Sequence, residues 1–176
     1  MRVGPSLAAR LEGEPLPALQ FPSSRGVVHL TERPGRYVVL YVYPRTAVAG
    51  ERDPRGWDRI PGARGCTAEA CSFRDHEREL SKLGARVMGL SSQVLEQQRR
   101  FATRASIPYP LLSDPGFLLA GALGLPTLEV AGRRFYERLT IISDGSITKI
   151  FHPVAKPETH GAEVLAWLRS DANDAA

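Results

Sequence analysis

The segment GCTAEACSFRD (residues 65–75) organises the chain, because it places both cysteines at the start of a predicted helix. From Thr67 to Leu83 apolar residues recur at helical spacing, and Gly84 is suited to end the helix. Before it, residues 45–65 contain four glycines, two prolines and several charges without a regular period. We therefore expect an irregular loop that leads directly into Cys66, and loops of this length in compact domains are usually functional or mobile.

The rest of the chain alternates between strand and helix patterns. Residues 36–43 form a continuous β-branched and aromatic run, which predicts a central strand buried on both faces. The further elements predicted, in chain order, are a short strand at 27–31, a strand at 87–91, a helix at 93–105, an extended piece at 109–112, a short helix opened by Asp114-Pro115 and ending at Leu123, strands at 135–142 and 146–151 joined by a turn at Asp144-Gly145, and a helix at 158–169.

This order predicts one α/β domain with a mixed central sheet flanked by helices. We place the domain at residues 20–169 and treat residues 45–65 as an inserted active-site loop. Residues 1–19 are rich in proline, glycine and alanine and predict a loose lead-in. Residues 170–176 are small and polar and predict a frayed tail.

Composition excludes several classes of function. The net charge is +4 with a pI near 9.4, but the basic residues are scattered among acidic ones, which does not favour a nucleic-acid partner. No apolar run approaches the ~18 residues of a membrane span, and the N-terminus has no secretory apolar region. Two cysteines in 176 residues do not form a disulfide scaffold. We expect a soluble cytoplasmic protein, a monomer or weak dimer, with no membrane partner.

The spacing of the two cysteines limits what they can do together. On an ideal helix, residues five apart are separated by ~7.5 Å along the axis and ~140° around it. Their Cα atoms then lie roughly 8–9 Å apart, beyond the ~7 Å limit for a disulfide. Either Cys66 and Cys71 never bond, or the first turns of the helix unwind when they do.

Metal binding is disfavoured, because zinc sites use closer cysteines together with further cysteine or histidine ligands, and no cofactor is predicted. Two inert buried thiols are an alternative that the spacing alone leaves open. The position of Cys66 at a helix N-terminus favours a reactive thiolate instead, because backbone N–H groups and the helix dipole there lower a thiol pKa. Arg64 is either a further positive charge beside the thiol or an exposed loop residue.

Five segments together resemble the Q-type peroxiredoxins, also called bacterioferritin comigratory proteins. They are YVYP (41–44), GCTAEACSFRD (65–75), KLGARVMGLSS (82–92), PLLSD (110–114) and RLTIISDG (138–145). The resemblance covers residues 20–168, and it implies a thioredoxin fold with an N-terminal β extension. It also implies a peroxidase that takes hydrogen peroxide or organic hydroperoxides and is reduced by a thioredoxin-like or glutaredoxin-like donor.

The resemblance assigns roles to three residues. Cys66 matches the peroxidatic cysteine, whose thiolate attacks a peroxide oxygen and becomes a sulfenic acid. Cys71 matches the resolving cysteine, which forms an intramolecular disulfide with Cys66. Arg138 matches the arginine that stabilises the thiolate and polarises the peroxide; without the resemblance it would be a strand-edge arginine in a surface ion pair.

One feature of the family is missing upstream of Cys66. The family places proline seven and threonine three residues before the reactive cysteine, and this chain has Arg59 and Ala63 there. Some fifteen extra residues separate Pro44 from Cys66, and Thr46 is the only hydroxyl there that could fold back to replace the threonine. Either the inserted loop rebuilds the pocket, or the activity is weaker or redirected. Without a hydroxyl, stabilisation of the peroxide would depend on backbone N–H groups and arginines.

Two other functions remain as alternatives to the peroxidase. The first is a peroxide-sensing redox switch or binding protein with little turnover, whose inserted loop with Trp57 contacts a partner. The second is a thiol–disulfide oxidoreductase, which the absence of a Cys-x-x-Cys motif disfavours.

Overall fold

A seven-stranded mixed sheet runs through the computed structural model, which describes residues 4–176. The spatial order of its strands is β2-β1-β5-β4-β3-β8-β9, with β4 parallel and β8 antiparallel to the central β3. These strands are β1 Gln20–Ser23, β2 Gly26–His29, β3 Tyr37–Val42, β4 Ala85–Ser91, β5 Leu111–Ser113, β8 Leu139–Ser143 and β9 Ile147–Phe151. A separate hairpin is formed by β6 Thr127–Val130 and β7 Arg133–Tyr136.

Helices cover both faces of the sheet. They are α1 Leu7–Leu11, α2 Cys66–Lys82, α3 Leu95–Arg104, α4 Leu118–Leu123 and α5 His160–Asp174, with 3₁₀ turns at Trp57–Arg59 and Pro157–Thr159. Strand β3 separates two cores: Leu40 packs in the one that includes α1 and α4, and Tyr41 packs in the one that includes α2 and α5. This alternation follows from the two-residue period of a strand. The predicted mixed α/β fold and the doubly buried central strand are confirmed.

Two predicted elements differ in extent. The predicted strand 135–142 is wrong, because the chain leaves the β6–β7 hairpin at Tyr136 and enters the main sheet at Leu139. The helix predicted to open at Pro115 begins at Leu118 instead, since Phe117 takes a left-handed conformation with φ 54°. The carboxylate of Asp114 still caps this helix by accepting from the backbone N–H groups of Leu118 and Leu119 at 2.9 and 3.1 Å.

Both ends of the domain are more regular than the sequence suggests. Within the predicted lead-in 1–19, of which residues 4–19 are described, Leu7–Leu11 form α1 and Leu11 and Leu16 are buried in the core. At the other end α5 continues to Asp174 and includes most of the predicted frayed tail. At the N-terminal end, burial of Leu11 and Leu16 outweighs a composition that predicts a loose segment. At the C-terminal end, the polar residues simply continue the helix that precedes them.

The loop at 45–65 is anchored by a small hydrophobic cluster of its own. Trp57 and Ala63 pack against Val130 and Phe135 of the β6–β7 hairpin, and the rings of Trp57 and Phe135 meet edge-on at 4.9 Å. The loop therefore holds a defined position between the end of β3 and the start of α2. Within the described part of the chain, no helix has the length and hydropathy that a membrane span requires.

Candidate active site

Cys66 is the first residue of α2, and only 4% of it is exposed. The preceding Gly65 has φ 99°, a left-handed conformation that glycine adopts most readily, and it turns the chain from the loop into the helix. The Cys66 thiol lies 3.7 Å from the carbonyl oxygen of Ala63 and 3.1 Å from Nη2 of Arg138. A buried thiol thus faces a guanidinium at the start of a helix.

Arg138 connects the thiol, the helix and the end of the loop. It lies between β7 and β8, and its side chain is 2% exposed. Nη1 donates to the carboxylate of Glu69 on α2, while Nη2 donates to the carbonyl oxygens of Gly62 and Arg64 at 3.1 and 2.9 Å. Arg138 therefore reaches the thiol from the short break between β7 and β8, which the sequence analysis did not predict.

Burial raises the pKa of the Cys66 thiol, against the opposing effects of the Arg138 charge and the Arg45 backbone N–H. The charge of Glu69 adds to the rise. The direction is opposite to the lowering predicted from the helix N-terminus, because removing a thiolate from water costs more than these groups recover. Burial likewise raises the pKa of Glu69 to about 7, although Arg138 opposes it. Arg138 is thus shared between two buried acids that compete for its charge.

Cys71 lies on the same helix, one and a half turns further along. It is partly exposed, and both cysteines are free thiols. Since the helix is continuous from Cys66 to Lys82, the spacing that predicts separated thiols holds in the reduced protein.

Arg64, the second predicted source of positive charge, points away from the thiol. Its side chain is 67% exposed, and its Nε donates to Asp58 at 2.6 Å. The interpretation of Arg64 as an exposed loop residue is therefore the better one, although its backbone carbonyl does contact Arg138.

Thr46 is buried, and its hydroxyl donates to Oε1 of Gln93 at 3.2 Å. Its backbone N–H bonds to the same oxygen at 2.9 Å, and Gln93 Nε2 returns a bond to the Thr46 carbonyl at 3.1 Å. Gln93 therefore fixes the backbone next to Arg45, whose N–H faces the Cys66 thiol. The sequence carried no signal for Gln93, because its partner lies 47 residues away.

A cleft of about 280 Å³ lies over the thiol, between the loop and the first turn of α2. The residues that form its walls include Arg45, Asp53, Trp57, Ala63, Thr67 and Ala68. The Arg45 side chain is buried, pairs with Glu51 and Asp53, and lies 6.0 Å from the Trp57 ring. Across residues 4–176, no cluster of three or more histidine, cysteine or acidic side chains is arranged to hold a metal ion.

Comparisons with known sequences identify the family of this chain. The family profile described as Redoxin matches residues 11–165. Peroxiredoxin Bcp of Bacillus subtilis is 32% identical over 163 residues, which cover 89% of this chain and 94% of that protein. Chloroplastic peroxiredoxin Q of Gentiana triflora is 34% identical over 146 residues, which cover 81% of this chain and 59% of the relative. The chain thus spans less than two thirds of the length of this plant protein.

Solved structures show the same fold. Peroxidoxin BcpB of Mycobacterium tuberculosis superposes with a TM-score of 0.74 at 25% identity, covering 91% of this chain and 97% of that one. The bacterioferritin comigratory protein of Xanthomonas campestris superposes with a TM-score of 0.70 at 25% identity, covering 90% of this chain and 98% of that one. Its structure is described in connection with alkyl peroxide reduction activity. The predicted thioredoxin fold is confirmed by these neighbours. The chain therefore belongs to the redoxin family and, within it, to the peroxiredoxins of the Q and Bcp type.

Proposed function

We propose that the protein is a thiol peroxidase in which Cys66 reduces hydrogen peroxide or organic hydroperoxides. The observation that carries the proposal is the contact between a buried thiol at a helix start and the buried guanidinium of Arg138, 3.1 Å apart at the base of a cleft. A thiolate is the nucleophile in this chemistry, and Arg138 can stabilise both that thiolate and the charge that develops on the peroxide.

The first step forms a sulfur–oxygen bond and breaks the oxygen–oxygen bond. The Cys66 thiolate attacks one peroxide oxygen, and the second oxygen leaves, takes up a proton and becomes water or an alcohol. Cys66 is left as a sulfenic acid. We expect Arg138 and the Arg45 backbone N–H to donate to the oxygens during the transfer, since both already face the thiol.

The second step regenerates the thiol in two stages. The Cys71 thiolate attacks the sulfenic sulfur, the sulfur–sulfur bond forms as the sulfur–oxygen bond breaks, and the oxygen leaves as hydroxide, which takes up a proton to become water. A thioredoxin-like or glutaredoxin-like dithiol then reduces the disulfide. Because an intact α2 keeps the two sulfur atoms apart, the first turns of the helix have to unwind before the disulfide can close.

Thr46 acts indirectly in this proposal. Its hydroxyl is occupied by Gln93, so we assign it the task of holding the adjacent Arg45 N–H toward Cys66 rather than a bond to the peroxide. The missing family threonine is then replaced by backbone N–H groups together with Arg138.

The cleft supports organic hydroperoxides as the preferred substrates. Its volume of about 280 Å³ is far larger than hydrogen peroxide needs, and its walls beside the thiol include the apolar residues Trp57, Ala63 and Ala68, of which Ala68 is exposed. An alkyl or aryl group seated there would be withdrawn from water, at about 25 cal/mol per Å² of apolar surface.

The experiment is peroxide consumption with a thioredoxin system, comparing wild type, Cys66→Ser and Cys71→Ser. We expect Cys66→Ser to abolish turnover and Cys71→Ser to accumulate a sulfenic acid that dimedone traps. Cys71→Ser is the matched control, since it removes a thiol from the same helix without removing the nucleophile. Unchanged peroxide consumption by Cys66→Ser would contradict the proposal.

The peroxide-sensing switch is less favoured, because the relatives are named peroxiredoxins and one is described with peroxide reduction. Multiple turnovers with a dithiol donor separate the two, since a switch would stop after one oxidation. We also propose a cytoplasmic location, where thiols are kept reduced, and a monomer or weak dimer, which sedimentation at several concentrations tests.

A further inference from the structure

A buried tyrosine hydroxyl bonds to the part of α2 that lies between the two cysteines. Tyr109, which is 3% exposed and lies just before β5, donates its hydroxyl hydrogen to the backbone carbonyl of Ala70 at 2.7 Å. The hydroxyl of Tyr41 on β3 lies 2.9 Å from that of Tyr109 and completes a buried chain of hydrogen bonds. The sheet thus holds the first turns of α2 by a contact that is independent of Arg138.

The next residues of α2 are fixed from the opposite side. Gly161 at the start of α5 donates its N–H to the Ser72 hydroxyl at 2.9 Å, and a Cβ built on Gly161 would lie 2.5 Å from the Ser72 carbonyl oxygen. The two helix backbones are therefore in direct contact one residue beyond Cys71. Unwinding that brings Cys66 to Cys71 can stay within residues 66–71, and the Tyr109 hydroxyl bonds to the backbone of that segment.

We propose that Tyr109 is a positioning residue that sets the rate of disulfide formation by holding residues 66–71 helical. This inference rests on the proposed function, because it concerns the step in which Cys71 attacks the Cys66 sulfenic acid. The bond from Tyr109 to Ala70 exists while the turn is closed and is lost when the turn opens. Its strength therefore determines how often the open state forms and how long the sulfenic acid survives to meet a second peroxide.

The test replaces Tyr109 by Phe, which removes one hydroxyl and keeps the ring. Reduced protein is mixed with one equivalent of peroxide and quenched at intervals. Dimedone adducts and disulfide are then quantified by mass spectrometry. Loss of one buried hydrogen bond should speed disulfide formation about five- to tenfold. The rate of sulfenic acid formation should stay within about twofold of wild type, because the Cys66–Arg138 contact is untouched. With excess peroxide, the sulfinic acid fraction should fall by a similar factor.

Tyr37→Phe is the matched control, since Tyr37 is also buried on β3 but its hydroxyl bonds to Asp171 of α5 at 2.6 Å. Disulfide formation at the wild-type rate in Tyr109→Phe, or equal acceleration in Tyr37→Phe, would overturn the inference. Hydrogen exchange of the reduced protein is the second measurement. Amides of residues 69–74 should lose protection relative to residues 75–82, and an equal loss along the whole helix would show a merely structural effect.

Failure of this inference is distinguishable from failure of the proposed function. If wild-type protein forms the disulfide and Tyr109→Phe forms it no faster, the inference alone is wrong. If wild-type protein forms a sulfenic acid but never the disulfide, the resolving role of Cys71 is wrong and the inference falls with it.

Discussion

Replacement of Arg138 by Met should reduce the reactivity of Cys66 at neutral pH and move its titration to higher pH. In the folded protein Nη2 of Arg138 lies 3.1 Å from the thiol, and both residues are almost wholly buried. A hydrogen bond from a charged donor contributes about 1.5–3 kcal/mol. Loss of this interaction should add to the rise that burial already causes in the thiol pKa, and lower the thiolate fraction at a given pH about ten- to hundredfold.

The assay is the rate of iodoacetamide alkylation of reduced protein as a function of pH, made in a Cys71→Ser background so that one thiol reacts. Arg64→Met in the same background is the control, because Arg64 is close in sequence but its side chain pairs with Asp58. A pH profile that does not move in Arg138→Met, or one that moves equally in Arg64→Met, would refute the electrostatic reasoning. Far-UV circular dichroism checks that each variant keeps its helices.

Three further changes test other contacts of the site. Glu69→Gln should move the alkylation profile of Cys66 to lower pH, since the carboxylate charge raises the thiol pKa; a profile unmoved or moved upward would contradict this. Trp57→Ala should lower the ratio of kcat/KM for cumene hydroperoxide to that for hydrogen peroxide a few-fold, because the buried indole holds the loop wall of the cleft against Phe135, and an unchanged ratio would disprove the substrate preference. Thr46→Val should lower the free energy of unfolding in urea by ~1 kcal/mol and slow sulfenic acid formation only a few-fold; complete loss of reactivity would instead assign the hydroxyl a direct role.

The elements that sequence analysis predicted well are those whose signal is local. The helix at α2 begins within one residue of its predicted start, because Gly65 precedes it and its apolar residues have a regular period. The buried strand β3 is equally clear, since residues 37–43 are all β-branched or aromatic except for one leucine, a run that strongly favours a strand. Local signals fail at the boundary between Tyr136 and Leu139, where no turn residue marks the change from one sheet to the other.

The site was predictable only in part. Cys66 and Arg138 lie in contact, and both were candidates through their resemblance to a family motif. The contacts of Glu69 with Arg138, of Gln93 with Thr46 and of Tyr109 with Ala70 join residues that are 39–69 positions apart. No local pattern encodes such contacts, because they depend on how strands and helices pack. The direction of the shift in the Cys66 pKa was mispredicted for the same reason. The position at a helix start predicts a lowered pKa, whereas burial, which that position does not reveal, raises it.

The way in which the loop at 45–65 ends has an evolutionary consequence. Its last residues are held by the same guanidinium that faces the thiol, through the carbonyl oxygens of Gly62 and Arg64. Because these are backbone atoms, the attachment does not depend on which side chains the loop carries. Insertions or deletions between residues 47 and 61 would therefore reshape the entrance to the thiol, while the bonds from Arg138 keep the end of the loop and the Cys66–Arg138 contact in place.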